Sequence, residues 1–209
     1  MNAQFKTEQE NFWAGKFGDQ YADRNQGMPL IAANLSLFSR VLQRTQSVRT
    51  VIEFGANIGL NLAALRMLLP AIELSAIEIN SKAVAALREQ GGITVYPQSI
   101  LEFQPDYCRD LVLIKGVLIH INPDSLPQVY ELLYNTSKRY ICVAEYYNPS
   151  PVEVPYRGNK ERLFKRDFAG EMLDRFSDLK LVDYGFLYHR DSNFPQDDIT
   201  WFLLEKTGT

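Results

Sequence analysis

Hydrophobic positions fall at helical spacing near the start of the chain. Phe12, Trp13, Phe17 and Tyr21 give Asn11–Arg24 an aromatic face broken by Gly15 and Gly18. Behind Pro29, Leu35, Phe38, Val41 and Leu42 line one side of Leu30–Leu42. Two helices are predicted ahead of the main fold. From Val48 the pattern changes to short apolar runs alternating with helical stretches. Val51–Phe54, Ile72–Ile77, Ile93–Tyr96, Leu111–Ile114 and Tyr140–Ala144 read as strands, and Leu60–Leu69, Ser81–Glu89 and Ser125–Asn135 as the helices between them. Pro70 and the pair Gly91-Gly92 supply stop signals. These strands lack polar alternation, as expected when helices cover both faces of a parallel sheet.

The remainder reads differently. Tyr147–Arg166 is rich in Pro, Tyr, Arg and Lys without clear periodicity, so residues 147–166 are predicted to form a long loop of the kind that often carries function. Asp167–Phe176 reads as a helix with Asp167 at its N-cap, and Leu179–Tyr188 and Ile199–Glu205 as a hairpin closing the sheet. The whole predicts a single α/β domain over residues 1–209. Residues 1–45 form N-terminal helices, and 46–209 a Rossmann-like core.

Composition narrows the partners. The 209 residues carry a net charge of −3, with 46% apolar and 22% charged residues and no basic block, which argues against nucleic acid. Two cysteines, Cys108 and Cys142, stand far apart in apolar surroundings and outside any CxxC pair, so both are expected to be buried reduced thiols. Met1–Asn11 is polar, without an apolar signal core, and no apolar run approaches the roughly 20 residues of a membrane helix. A cytoplasmic protein is expected, with no membrane partner. No His/Asp/Glu cluster argues for a metal.

The most informative stretch is Val51-Ile-Glu-Phe-Gly-Ala-Asn-Ile-Gly59, a strand running through a glycine-bearing turn into a helix. Gly55 lets the backbone turn sharply beside a ligand, and Asn57 stands where nucleotide-binding loops often carry glycine. Gly59 permits close packing of the helix start. At the next strand end, Glu78 is placed to accept from ribose hydroxyls, or simply to precede the helix after Asn80. Glu53 suits a cationic ligand better than a diphosphate, or else holds the loop as a buried acid.

These motifs, with Asp110-Leu-Val-Leu-Ile-Lys-Gly-Val-Leu-Ile-His120, resemble the ordered motifs of class I S-adenosylmethionine-dependent methyltransferases. The resemblance covers the chain from about Val48 onward and implies a seven-stranded, mostly parallel sheet with an antiparallel last strand. More narrowly, Glu8-Gln-Glu-Asn-Phe-Trp-Ala-Gly-Lys-Phe-Gly-Asp-Gln-Tyr21, Arg24-Asn25 and Lys115-Gly-Val-Leu-Ile-His-Ile-Asn-Pro-Asp124 look like the methylases associated with pseudaminic acid biosynthesis. The resemblance implies that Gly55, Ala56 and Gly59, with Asn57 between them, wrap the methionine end of S-adenosylmethionine, and that Glu78 holds its ribose. Ser99 falls where many relatives carry an acid facing the adenine amino group, and Ile79 and Ile100 would sandwich the ring. Tyr21 would contact the cofactor.

For the acceptor, His120 follows a strand end and is a candidate general base, with an unperturbed pKa of about 6.5; the alternative is a cap on the helix starting near Pro123. Tyr146 is the fallback proton acceptor. Lys115 either contacts the cofactor or pairs with Glu145. Tyr147, Tyr156, Arg157, Lys160, Arg162, Lys165 and Arg166 crowd the long loop and suit an anionic sugar, or form a solvated face. His189 is a further candidate contact near the hairpin turn. Trp13, Phe17, Tyr21 and Arg24 fit either a lid over the cofactor or a helix packed on the domain. The leading expectation is methyl transfer to oxygen or nitrogen of a small nonulosonic-acid-type sugar or its precursor. The alternatives are an NAD- or nucleotide-sugar-dependent oxidoreductase, disfavoured by the incomplete glycine fingerprint, and a cofactor-binding protein without transfer activity.

Overall fold

The apolar runs pair into one seven-stranded sheet in the order β3-β2-β1-β4-β5-β9-β8. The computed structural model describes residues 5–158 and 162–208; Lys160, one of the loop's basic residues, lies outside them. Strands β1 (Thr50–Phe54), β2 (Glu73–Ile77), β3 (Ile93–Tyr96), β4 (Arg109–Lys115) and β5 (Ser137–Glu145) run parallel. At the far edge, β9 (Ile199–Lys206) is antiparallel to both β5 and β8 (Leu179–Leu187). Ile52, Phe54, Val112, Leu113, Ile114 and Ile141 are fully buried, which explains why the strands show no polar alternation.

Helices cover both faces. Leu37, Phe38 and Val41 of α3 (Met28–Leu42) and Leu62 and Leu65 of α4 (Leu60–Leu68) pack on one face, close to α5 (Ser81–Gln90) through Leu87. On the other face, Leu126, Val129 and Leu133 of α6 (Leu126–Thr136) and Met172 of α7 (Phe168–Arg175) complete a second core. Asp167 accepts from the Gly170 N–H and caps α7 as the sequence predicts. The topology fixes where a ligand can enter. Connections from β1 and β4, adjacent in the sheet, lead away to opposite sides, and such a divergence opens a crevice at the carboxyl ends of the strands.

Three expectations need correction. The aromatic segment Asn11–Arg24 is two helices, α1 (Glu8–Ala14) and α2 (Lys16–Arg24), because Gly15 takes an extended conformation that ends one and caps the other. The long loop contains a short ladder, β6 (Val152–Glu153) against β7 (Phe164–Lys165), which two-residue strands cannot announce through periodicity. Cys142 is buried, but Cys108 is exposed at the turn entering β4.

Candidate functional site

A cavity of about 250 Å³ lies over the carboxyl ends of β1, β2, β3 and β4. Its floor is the turn after β1. Gly55 holds φ at +76°, and a Cβ there would stand 2.7 Å from a Val117 methyl, so this position takes glycine without strain where a side chain would collide. Asn57 sits at φ +47°, the left-handed conformation that asparagine tolerates. Ala56 and Asn57 line the cavity, whereas Gly59 lies behind it at the start of α4.

Glu78, at the end of β2, is buried with both oxygens committed to backbone: Oε2 accepts from the Asn57 N–H at 2.7 Å and Oε1 from the Asn80 N–H at 2.7 Å. These bonds lock the side chain and tie the β1 turn to the β2 turn. A carboxylate has about four acceptor positions, and the Ile79 N–H also acts on this one, so acceptor capacity remains for a ligand. Burial pushes its pKa upward against those hydrogen bonds. Ile79 and Ile100 flank the same side of the cavity, with Ser99 at the end of β3.

Glu53 is fully buried and does not reach the cavity. Its Oε1 accepts from Asn61 Nδ2 at 2.5 Å, its Oε2 has no partner, and Asn61 faces the cavity in its place. Burial pushes the Glu53 carboxyl up to about 8. Lys115 does line the cavity. Among the described residues it makes no ion pair, so the alternative of pairing with Glu145 is not met; Glu145 Oε1 accepts from the Val117 and Leu118 N–H groups, each at 2.9 Å, and its Oε2 has no partner. Burial pulls the Lys115 pKa down and pushes Glu145 up to about 7.

His120 ends a short turn after β4 and also lines the cavity. It does not cap the next helix; Asn122 does so, its side chain accepting from the Asp124 N–H at 3.0 Å. His120 Nδ1 instead contacts the Arg162 carbonyl, which fixes the tautomer: Nδ1 carries the proton and Nε2 keeps its lone pair. The imidazole meets the tilted rings of Trp13 at 4.6 Å and Tyr156 at 4.9 Å. Burial lowers its pKa to about 4, well below the near-neutral value that the sequence alone suggests.

The remaining candidates divide. Tyr21 faces the cavity, its hydroxyl pushed up to about 12 by burial, with Tyr156 and Asp197 adding to the effect. Tyr146 is half-buried behind the cavity wall, and burial raises its pKa, so it stays a protonated phenol near neutrality. Tyr156 packs on His120 and Phe17. Arg157 lies over the Tyr156 ring, and Arg162 pairs with Glu8 at 3.0 Å. Tyr147 is exposed against Phe202, and His189 is exposed and paired with Asp198 at 2.8 Å; neither joins the cavity. Three cavity residues escaped the sequence reading. Asp197 arrives from the β8–β9 hairpin, Asn61 reports on Glu53, and Glu10 sits inside what looks like an ordinary helix-start signal, Thr7-x-x-Glu10.

No family model matches the chain, and no curated protein does. Solved structures do match. A 1,6-didemethyltoxoflavin-N1-methyltransferase of Burkholderia thailandensis, solved with S-adenosylhomocysteine and its substrate, aligns over 99% of this chain and 93% of its own at a TM-score of 0.70 and 12% identity. A magnesium protoporphyrin IX methyltransferase of Synechocystis, solved with S-adenosylmethionine, aligns over 99% of this chain and all of its own (100%) at a TM-score of 0.66 and 11% identity. A third, an S-adenosylmethionine-dependent methyltransferase of Clostridium acetobutylicum, covers 92% of this chain and 98% of its own at 0.64 and 13%. At such identities the likeness is one of fold: the chain carries the Rossmann-like, seven-stranded fold of these methyltransferases, with a cavity at the carboxyl ends of the parallel strands.

Proposed function

We propose that the chain is a cytoplasmic, S-adenosylmethionine-dependent methyltransferase acting on a small molecule. The observation that carries this reading is the charge of the cavity. Glu10, Glu78 and Asp197 line it, and among the described residues Lys115 is its one cation. A dinucleotide would bring a diphosphate to a turn that offers no basic side chain, whereas a sulfonium donor is itself cationic. The residues fit that donor: Glu78 keeps acceptor capacity for a ribose hydroxyl, the Gly55–Asn57 turn leaves room beside it, and Ile79 and Ile100 present apolar walls for a base. When bound, the donor supplies an activated methyl group, so the protein's task is positioning and the exclusion of water. Trp13 and Tyr21 of the N-terminal helices line the cavity and serve that exclusion.

The acceptor, in this reading, is a small anionic sugar of the nonulosonic-acid type or a precursor, modified at oxygen or nitrogen. The sequence resemblance at Glu8–Tyr21 and Lys115–Asp124 supports it, as does the ammonium of Lys115 in the cavity lining as an anion contact. Tyr156 of the neighbouring loop packs on His120 and carries Arg157 over its ring, which puts one further positive charge on the His120 side of the site. His120 offers the neutral lone pair of Nε2 for the departing proton. Calorimetry with S-adenosylmethionine, S-adenosylhomocysteine and NAD tests the donor, and a labelled-methyl screen over nonulosonic acids and their nucleotide conjugates tests the acceptor. Binding of NAD alone would overturn the reading.

A further inference from the structure

Glu10 is a buried carboxylate on α1 that lines the cavity. Its Oε2 is spent within the helix cap, accepting from the Thr7 N–H at 2.8 Å and the Thr7 hydroxyl at 2.9 Å. Its Oε1 accepts from the Ser99 hydroxyl, and one acceptor position on that oxygen stays open. Ser99 in turn accepts from the Leu101 N–H at 3.0 Å. The hydroxyl hydrogen is therefore committed to Glu10. Beyond the end of β3, in the cavity wall that Ile79 and Ile100 also line, the side chains of this pair offer acceptors and no donor.

We infer that Glu10 reads the exocyclic amino group of the donor's base, so that α1 closes only over an adenine-bearing ligand. The inference rests on the donor reading above and goes beyond it in naming the residue, the atom it selects and the element it moves. An amino group brings two N–H donors to an acceptor-only edge. A carbonyl oxygen at the same ring position would face the carboxylate with like partial charge and no hydrogen to share. The acid comes from outside the core sheet, on a helix held to the cavity rim by polar and ring contacts: Glu10 to Ser99, Arg162 to Glu8 at 3.0 Å, Asn80 Nδ2 to the Trp13 carbonyl at 3.3 Å, and Trp13 against His120. Base recognition and closure of the N-terminal helices are therefore one event.

The test compares S-adenosylhomocysteine with its inosine analogue, in which a carbonyl oxygen replaces the 6-amino group, by calorimetry on the full chain. Wild type should prefer the adenine compound by about tenfold to a hundredfold, the range of one hydrogen bond to a charged group. Glu10→Gln keeps a carbonyl for the Thr7 cap and adds an amide N–H for the analogue, so the preference should fall to a few-fold. Adenine ligand should also slow proteolysis of the first two helices in wild type, and the analogue should not. Equal binding of the two compounds by wild type, or an equal loss of both in Glu10→Gln, overturns the inference while leaving the donor reading intact. Binding of neither compound by wild type overturns both. Should Glu10→Gln fail to fold, Ser99→Ala decides: the preference should survive, and its disappearance would move the recognition to Ser99.

Discussion

The Trp13 indole lies 4.6 Å from the His120 imidazole at an interplanar angle of 51°, joining the first helix to the turn that leaves the central strand β4. Around this contact Phe12 stacks on Phe17 at 4.2 Å, and Trp13 meets Tyr21 edge-on at 5.2 Å. The N-terminal helices thus pack chiefly on themselves and on the cavity rim, and only lightly on the core. A segment with so few core contacts belongs to the low-stability part of a fold and can open without unfolding the rest.

That arrangement depends on Gly18. A Cβ there would lie 1.9 Å from the Trp13 carbonyl oxygen, so α2 can approach α1 this closely only with glycine in place. Gly18→Ala should displace α2 against α1 and weaken donor binding by about tenfold or more, roughly the loss of 1.4 kcal/mol. The thermal midpoint of the core should change little. Calorimetry and limited proteolysis of the first two helices check this; unchanged donor affinity with a well-ordered N-terminus would contradict it.

Glu78 should prove doubly costly to remove. Glu78→Ala strips an acceptor from the Asn57 and Asn80 N–H groups and leaves the ribose hydroxyls without their partner. A stability loss of about 1–3 kcal/mol is expected, with donor affinity reduced by a further ~2–4 kcal/mol. Glu78→Gln should retain about half the backbone contacts and lose mainly donor binding. Comparing melting curves with and without S-adenosylhomocysteine separates the two effects, and a variant that still gains the wild-type ligand shift would refute the assignment.

Much of this site was legible because its signal is local. The β1 turn shows itself in Gly55 and Asn57, and Glu78 stands at a strand end that apolar patterning locates on its own. The helices α3 and α4 and the strand β9 were equally readable, since each carries apolar residues into a buried core. What was not legible came from long-range juxtaposition. Asp197 lies in a polar turn that looks solvated, and only the antiparallel return of β9 carries it to the cavity. Glu53 looked like a ligand contact because its position along β1 does not reveal that Asn61 stands between it and the cavity. The basic loop looked like a clamp, yet Arg162 and Arg166 spend charge on Glu8 and Glu171.

Glu53 also sets an expected pH dependence. Burial raises its pKa from 4.5 to about 8, so between those values the native chain holds a proton that the unfolded chain has released. Stability from this group is complete below the unfolded value and is lost as pH rises towards the folded one. The loss approaches about 1.4 kcal/mol per pH unit inside the window. Glu53→Gln, which cannot ionise, should lose less stability than wild type between pH 6 and pH 8, by roughly 1–3 kcal/mol. Chemical denaturation of both proteins at the two pH values measures the difference. Parallel losses would mean that Glu53 titrates normally.

His120 poses the sharpest choice, because its geometry supports two roles that one substitution can separate. Nδ1–H holds the Arg162 carbonyl and so anchors the loop beside Tyr156; Nε2 retains a lone pair for a proton. With burial lowering the pKa to about 4, the imidazole is already neutral from pH 5.5 upward, and the turnover rate should show no ionisation of this residue near neutrality. The same depression makes stability fall as pH drops from the unfolded value of 6.5 towards 4, because the unfolded chain takes up the proton first. His120→Asn places an amide N–H where Nδ1–H was and offers no basic nitrogen. If His120 removes the acceptor's proton, this variant should lose about 10²–10⁴-fold in kcat while S-adenosylhomocysteine binds almost as before. If His120 only latches the loop, His120→Asn should keep near-wild-type turnover, whereas His120→Ala, lacking the donor, should raise the acceptor's KM. Steady-state kinetics of the two variants from pH 5.5 to 8 decide between them. Unchanged turnover in both would leave transfer to positioning alone, with the proton passing to water.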